Sequence, residues 1–113
     1  MARLSELSRS LTGARVLVTG AGSGMGRATA RLFADEGAHV VVADWNASAV
    51  ETVADEIRSA HGPRSVVGVS GDVSVAGDRV AMVEACAGAF GGLDVLVNNA
   101  GRSEEHTSEL QSR

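Results

Sequence analysis

The chain has 113 residues, a net charge of −4 and 44% hydrophobic residues, which is enough for one small packed domain. The negative charge and the lack of a Lys/Arg cluster argue against nucleic-acid binding. No apolar run approaches the ~20 residues that cross a membrane. The single Cys86 forms no internal disulfide, and residues 1–14 lack the apolar segment of a secretory signal. We therefore expect a cytoplasmic protein.

Apolar runs and segments of helical periodicity alternate along the chain after a polar leader over residues 1–12. The predicted strands are Arg15–Thr19, His39–Ala43, Ser65–Val69 and Leu93–Val97. The predicted helices are Gly24–Glu36, a second that Asn46 caps and His61-Gly62-Pro63 ends, and a third that Ser74 caps and Gly91-Gly92 ends. The order β-α-β-α-β-α-β predicts an α/β fold with parallel strands and helices on both faces.

Each predicted helix carries apolar residues at a spacing that predicts its core face. The three sets are Ala28, Leu32 and Phe33; then Val50, Val53, Ala54 and Ile57; then Val80, Val83, Ala87 and Phe90.

The segment Thr19–Gly26 reads Thr-Gly-Ala-Gly-Ser-Gly-Met-Gly and joins the first strand to the first helix. A helix N-terminus offers unpaired backbone N–H groups and the positive end of the helix dipole. Glycines at this point permit a tight turn and let a pyrophosphate approach the backbone. The segment predicts a phosphate-binding turn, with close helix–strand packing alone as the alternative.

Asp44 follows the second strand, close to the ~20-residue spacing of the acid that hydrogen-bonds an adenosine ribose. Its alternative role is that of an ordinary turn or cap residue. A carboxylate accepts hydrogen bonds from ribose hydroxyls and repels a 2′-phosphate, and neither Trp45 nor Asn46 offers a compensating positive charge. Two unit charges about 4 Å apart interact by ~4 kcal/mol at an effective dielectric constant of about 20. The sequence therefore favours NAD over NADP.

Two further segments, Asp72-Val73 and Asn98-Asn99-Ala100-Gly101, follow the third and fourth strands. Together with Thr-Gly-x-x-x-Gly-x-Gly they resemble the classical short-chain dehydrogenase/reductase family, over residues 11–101. The resemblance implies a Rossmann-type doubly wound parallel sheet and hydride transfer between a secondary alcohol or ketone and a nicotinamide. It also implies a homo-oligomeric full-length protein.

The resemblance implies cofactor-binding roles for residues at the ends of all four strands. The residues implied to contact the pyrophosphate and the adjoining ribose are Gly20, Ser23, Gly24 and Met25. Gly26 is implied to permit close helix–strand packing. In the adenosine half, Asp44 is implied to hold the ribose and Trp45 to lie beside the adenine. Asp72 is implied to hydrogen-bond the adenine amino group, and Val73 to line the adenine pocket. The nicotinamide-side ribose falls to Asn99, Ala100 and Gly101, and Asn98 is implied to stabilise the sheet.

The proton-transferring residues of that family have no counterpart in this sequence. The family uses a Tyr, a nearby Lys, a Ser and a further Asn, whereas this chain has no Tyr and its ten basic residues are all Arg. No catalytic residue and no metal ligand is therefore predicted, and we expect the chain by itself to be inactive. One alternative function is a non-catalytic dinucleotide-binding module. Another is a methyltransferase, but the glycine spacing and the Asn-Asn-Ala-Gly segment argue against a methyltransferase.

The last segment, residues 102–113, lacks apolar periodicity. Residues 102–112 resemble the translation of a common short-read sequencing adapter, with Arg113 in its variable bases. We therefore predict a non-native tail that follows an NAD-binding half-domain over residues 13–101, truncated after the fourth strand. The alternative is a natural polar cap or linker.

Overall fold

The computed structural model describes residues 11–99. The predicted tail, Ala100, Gly101 and leader residues 1–10 lie outside this range. The elements are β1 (Arg15–Thr19), α1 (Gly24–Asp35), β2 (His39–Asp44), α2 (Ala47–His61), β3 (Val66–Ser70), α3 (Ala76–Phe90) and β4 (Val95–Asn98). The predicted order of strands and helices is confirmed, as are the bounds of β1, while the ends of the other strands differ from the prediction by up to two residues.

The four strands form one parallel sheet in the order β3-β2-β1-β4. In the register of the sheet, Leu17 of β1 lies beside Val41 of β2 and Leu96 of β4. The chain winds outward from β1 through β2 to β3 and then crosses back to place β4 on the other side of β1. This reversal confirms the doubly wound arrangement, and such a switch point is where open α/β sheets bind ligands.

Both faces of the sheet are covered by helices, which gives two apolar cores. One core contains Val16 and Val18 of β1 together with residues of α1 and α2. The other contains Leu17 and Val41 packed against Met82 and Cys86 of α3. The buried face of α2 is the predicted one, with Val50, Val53, Ala54 and Ile57. Asn46 caps this helix as expected, since its side chain accepts a hydrogen bond from Ala49 N at 3.1 Å.

The predicted core face of α1 is wrong for Ala28 and Leu32. Both are exposed, Leu32 by 60%, whereas Ala30 and Ala34 are buried and Phe33 is half-buried. The physical reason lies at the start of the helix, where Gly26 is buried so close to the backbone of Gly20 that a Cβ would have no room. That contact sets the rotation of the helix, and positions four and eight residues further on therefore face the sheet.

The prediction for α3 is wrong at its cap and on its core face. Ser74 is not the N-cap: Val75 takes that position without a side-chain hydrogen bond. The buried residues are Met82 and Cys86, while Val80 and Val83 are exposed. Ala87 is also exposed and Phe90 is half-buried. Because α3 carries small or apolar residues on most of its circumference, its periodicity does not single out one face.

Candidate cofactor site

The carboxyl ends of β1, β2 and β4 border a cavity of about 420 Å³ beside the N-terminus of α1. Most of the predicted site residues that lie within residues 11–99 line it. The lining consists of Gly20, Gly22, Ser23, Gly24, Met25, Gly26, Asp44, Trp45, Asn46, Ala49 and Asn99.

The glycine turn depends on three glycines for its path. Gly20 and Gly24 have φ angles of +64° and +56°, in the left-handed region that favours glycine. A Cβ on Gly26 would lie 1.9 Å from the carbonyl oxygen of Gly20, far inside van der Waals contact. Gly26 therefore permits the close helix–strand packing that the family resemblance implied.

The N-terminus of α1 faces the cavity without a side-chain cap. Ser23 is the N-cap residue with extended backbone angles, and its side chain caps no backbone N–H group. The first turn contains no acidic residue. The first N–H groups of a helix lack intrahelical acceptors and carry the positive end of the dipole. This end of the cavity therefore favours an anionic group such as a phosphate.

The Asp44 carboxylate is fixed by the backbone on both of its oxygens. The N–H of Gly22 donates to Oδ2 at 2.9 Å, and the N–H of Asn46 donates to Oδ1 at 3.1 Å. A Cβ on Gly22 would lie 2.9 Å from Asp44 Oδ2 and 2.8 Å from the Cβ of Ala49. The absence of a side chain at Gly22 thus leaves room for the carboxylate at the cavity wall.

Sequence reasoning did not assign Gly22, Asn46 or Ala49 to the site. Gly22 occupies one of the unspecified positions of the glycine motif, and only the close approach of Asp44 reveals its role. Asn46 and Ala49 lie in the first turn that follows Asp44, so their position after the acid could have indicated them. Trp45, predicted to lie beside an adenine, lines the cavity and is 69% exposed.

Hydrogen bonds join the ends of β1 and β4 next to Asn99, which lines the cavity. Thr19 Oγ1 donates to Asn98 Oδ1 at 2.8 Å, and Asn99 N donates to Thr19 Oγ1 at 3.2 Å. The side chain of Asn98 thus joins β4 to β1 within the sheet, in agreement with the structural role implied for it. The Nδ2 atom of Asn99 is buried and has no hydrogen-bond partner within residues 11–99. A buried donor of this kind in a cavity wall is available to a ligand.

Asp72 and Val73 are not among the residues that line the cavity, although they lie near it. The N–H of Gly71 donates to the carbonyl of Asp44 at 2.9 Å, which places the end of β3 beside the end of β2. Val73 packs against the Leu17 core. Hydrogen bonds from Ser74 lower the pKa of Asp72, so its carboxylate is ionised at neutral pH.

The family model described as short chain dehydrogenase matches residues 14–113. The chain belongs to the short chain dehydrogenase family. The match runs through the segment predicted to be non-native, whose origin stays a prediction. Proteins of this family bind nicotinamide dinucleotides.

Among curated proteins, an uncharacterized oxidoreductase of Bacillus subtilis (YuxG) is 41% identical over 97 residues. This match covers 86% of the chain and 14% of that protein. The cis-2,3-dihydrobiphenyl-2,3-diol dehydrogenase of a Pseudomonas species is 45% identical over 85 residues, covering 75% of the chain and 29% of that enzyme. The chain thus spans less than a third of the length of either relative.

Solved structures of the family resemble the fold closely. A hydroxysteroid dehydrogenase from Escherichia coli gives a TM-score of 0.77 at 36% identity, over 83% of this chain and 37% of that one. A 3-ketoacyl-(acyl-carrier-protein) reductase from Brucella melitensis, solved in complex with NADH, gives a TM-score of 0.70 at 41% identity. This second match covers 76% of the chain and 34% of the reductase.

Residues 11–99 contain neither a candidate membrane span nor a candidate metal centre. No helix in this range combines the length and apolar character needed to span a membrane. In the same range, no group of three or more His, Cys, Asp or Glu side chains could hold a metal ion.

Proposed function

We propose that the cavity binds NAD in preference to NADP, and that the natural protein uses this cofactor to oxidise a secondary alcohol or reduce a ketone. The observation that carries the proposal is the Asp44 carboxylate, held by two backbone N–H groups beside an uncapped helix N-terminus. This arrangement provides acceptors for ribose hydroxyls and donors for a pyrophosphate within one cavity.

The residues present suit such a ligand along its length. The turn carrying Gly20, Ser23, Gly24 and Met25 would hold the pyrophosphate through backbone N–H groups. On the adenosine side, Asp44 would bind the ribose, Trp45 would lie beside the adenine, and Asp72 and Val73 would complete its pocket. On the nicotinamide side, the unpartnered Nδ2 of Asn99 would donate to the ligand, and Ala100 and Gly101 would follow the ribose.

The preference for NAD follows from charge. Asp44 accepts hydrogen bonds from the 2′- and 3′-hydroxyls, whereas a 2′-phosphate would meet a carboxylate with no Arg or Lys at positions 45 and 46. Even a part of the ~4 kcal/mol repulsion expected at about 4 Å decides between the two cofactors, since each ~1.4 kcal/mol is a tenfold change in affinity.

The chain itself would bind the cofactor without turning over a substrate. The bound nicotinamide supplies the hydride acceptor or donor, and the family transfers the accompanying proton with a Tyr supported by a Lys. This sequence has no Tyr, and all its basic residues are Arg. We infer that the catalytic half lies in a continuation of the gene, which the adapter-like residues 102–113 replace, and that the natural enzyme is a cytoplasmic homo-oligomer.

A non-catalytic dinucleotide-binding module is the second candidate, favoured by that same absence of Tyr and Lys. Genomic DNA across codon 102 separates the two candidates. A reading frame that continues into a Tyr-x-x-x-Lys segment supports the oxidoreductase. A frame that continues without one supports the module.

Calorimetric titration of the 113-residue chain with NADH, NADPH and S-adenosylmethionine tests the binding proposal. We expect NADH to bind at least about tenfold more tightly than NADPH, and S-adenosylmethionine to give no heat of binding. Absence of NADH binding at millimolar concentration overturns the proposal. Tighter binding of S-adenosylmethionine would instead support a methyltransferase.

A further inference from the structure

An ion pair joins the first turn of α1 to α2. Arg27 Nε donates to Glu56 Oε1 at 3.1 Å, and Arg27 Nη2 donates to Glu56 Oε2. A two-point contact of this kind fixes the relative orientation of the guanidinium and the carboxylate as well as their separation. The two side chains are 40% and 31% exposed, so the pair contributes little to overall stability and its replacement should leave the chain folded.

Arg27 directly follows the part of α1 that borders the cavity. The four preceding residues, Ser23, Gly24, Met25 and Gly26, all line it. The N–H of Arg27 donates to the carbonyl of the N-cap residue Ser23 at 3.3 Å and so closes the first turn of the helix. The position of the Arg27 side chain is therefore coupled to the turn whose free N–H groups face the cavity.

Glu56 shares a face of α2 with a residue of the cavity wall. It follows Ala49 by seven residues, and residues at that spacing lie on one face of a helix. Ala49 lines the cavity, and its Cβ would lie only 2.8 Å from a Cβ on Gly22. Along this face, Ala49 thus approaches the glycine turn, and Glu56 contacts the helix that follows the turn.

We propose that Arg27 is a positioning residue, which together with Glu56 holds the first turn of α1 at the distance from α2 that binding of a dinucleotide pyrophosphate requires. This inference rests on the proposed dinucleotide function. Hydrogen bonds from backbone N–H groups weaken steeply as their geometry departs from the ideal. When the first turn of α1 occupies several positions, only the fraction of molecules in the competent position binds, and the apparent affinity falls by that fraction.

A direct electrostatic role for Arg27 predicts a different result. If Arg27 attracted a phosphate through its charge, removal of the Glu56 carboxylate would strengthen that attraction, because the carboxylate partly neutralises the guanidinium. If the pair acts by positioning, the same removal weakens binding, because Arg27 loses its partner on α2. Arg27 is not among the residues that line the cavity, and two of its nitrogens donate to Glu56, which favours positioning.

The test compares NADH with adenosine by calorimetric titration of the 113-residue chain and of its variants Arg27→Met and Glu56→Ala. Adenosine carries the ribose and the base but no phosphate. We expect each variant to lower the NADH affinity about threefold to tenfold and to leave the adenosine affinity unchanged. The double variant should lose about as much as either single variant, because the effects of two residues that act as one pair do not add.

Arg31→Met and His61→Ala are the matched controls. Arg31 is exposed one turn further along α1 and forms no ion pair within residues 11–99. His61 Nε2 lies 2.8 Å from Asp35 Oδ1 and joins the same two helices at their C-terminal ends. Both controls should keep the NADH-to-adenosine affinity ratio of the parent protein. A fall in either control equal to that in Glu56→Ala would overturn the inference.

Each affinity ratio is internal to one variant, so a general loss of stability does not imitate the effect. A rise in NADH affinity in Glu56→Ala overturns the inference and assigns Arg27 a direct electrostatic role. A ratio unchanged in both single variants, or losses that add in the double variant, also overturns it. Failure of NADH to bind the parent protein overturns the proposed function instead.

Discussion

The backbone N–H of Gly22 donates a hydrogen bond of 2.9 Å to Asp44 Oδ2 and thereby joins the glycine turn after β1 to the acidic end of β2. The two sequence signals, a glycine run and a later acid, thus form one structural unit. The N–H of Asn46 holds the second oxygen. The position of the carboxylate at the cavity wall is consequently set by the turn as much as by the strand that carries it.

Replacement of Asp44 tests whether this unit binds and selects the cofactor. In Asp44→Asn the amide offers one acceptor for the two N–H donors and no negative charge. We expect NADH affinity to fall about tenfold or more, with a smaller change for NADPH, so that the preference between them narrows. Calorimetric titration with NADH and with NADPH measures both affinities and hence the preference. Glu51→Gln, which removes an exposed charge from α2, serves as the control. An unchanged NADH/NADPH ratio would contradict the role of Asp44.

Gly26 and Gly77 form a matched pair for testing the helix–strand contact. A Cβ on Gly26 would lie 1.9 Å from Gly20 O and 2.6 Å from Gly20 C, whereas a Cβ on Gly77 meets nothing within 4 Å. We expect Gly26→Ala to lower the free energy of unfolding by about 3 kcal/mol or more. Gly77→Ala should raise it by up to about 1 kcal/mol, because alanine favours the helix. Urea denaturation measures both, and equal effects would be incompatible with the close contact at Gly26.

The sequence predicted the sheet and α2 well, because their patterns depend on local chemistry. Continuous apolar runs identify strands that are buried on both faces, as with Val40, Val41 and Val42. In α2, one apolar stripe faces the core and Asn46 marks the start. Such signals are carried by residues close together in the chain, and no knowledge of the neighbouring elements is needed to interpret them.

The faces of α1 and α3 could not be predicted in the same way, because contacts distant in sequence decide them. The rotation of α1 depends on the backbone contact between Gly26 and Gly20. In α3, Met82 and Val83 are comparably apolar neighbours, and only the packing of the helix on the sheet makes Met82 the buried one. The role of Gly22 was missed for the same reason, since the approach of Asp44 and Ala49 is visible only in three dimensions.

The free energy of unfolding should be sensitive to acid because of the ion pair between Arg15 and Asp94. This pair links the start of β1 to the segment before β4. Arg15 donates to Asp94 Oδ2 through its backbone N–H and its Nε, both at 2.9 Å, and to Oδ1 through a terminal nitrogen at 2.8 Å. These bonds lower the pKa of Asp94 from its ordinary 3.8 to about 2. Because the folded-state pKa is depressed, the stabilisation is present above about pH 4 and is lost as the pH falls toward 2.

We therefore expect Asp94→Asn to flatten the fall in unfolding free energy between about pH 4 and pH 2. Arg15→Gln should flatten it less, because it removes the guanidinium that lowers the pKa of Asp94 but leaves the backbone N–H of residue 15 donating to Asp94 Oδ2. Part of the slope will remain in both variants, since the pKa values of Glu56 and Asp72 are lowered as well. Urea denaturation at a series of pH values provides the measurement. A slope identical to that of the parent would exclude this pair as a source of acid sensitivity.

Adjacent residues of α3 distinguish the observed core face from the one that periodicity predicted. Met82 is 1% exposed and packs with Leu17 and Cys86, while Val83 is 42% exposed. We expect Met82→Ala to lower the free energy of unfolding by about 2–4 kcal/mol, because it leaves a cavity against the sheet. Val83→Ala should change it by no more than about 0.5 kcal/mol, as at most surface positions. Urea denaturation of the two variants decides the matter. A larger loss for Val83→Ala than for Met82→Ala would restore the face inferred from the sequence and require α3 to be rotated on the sheet.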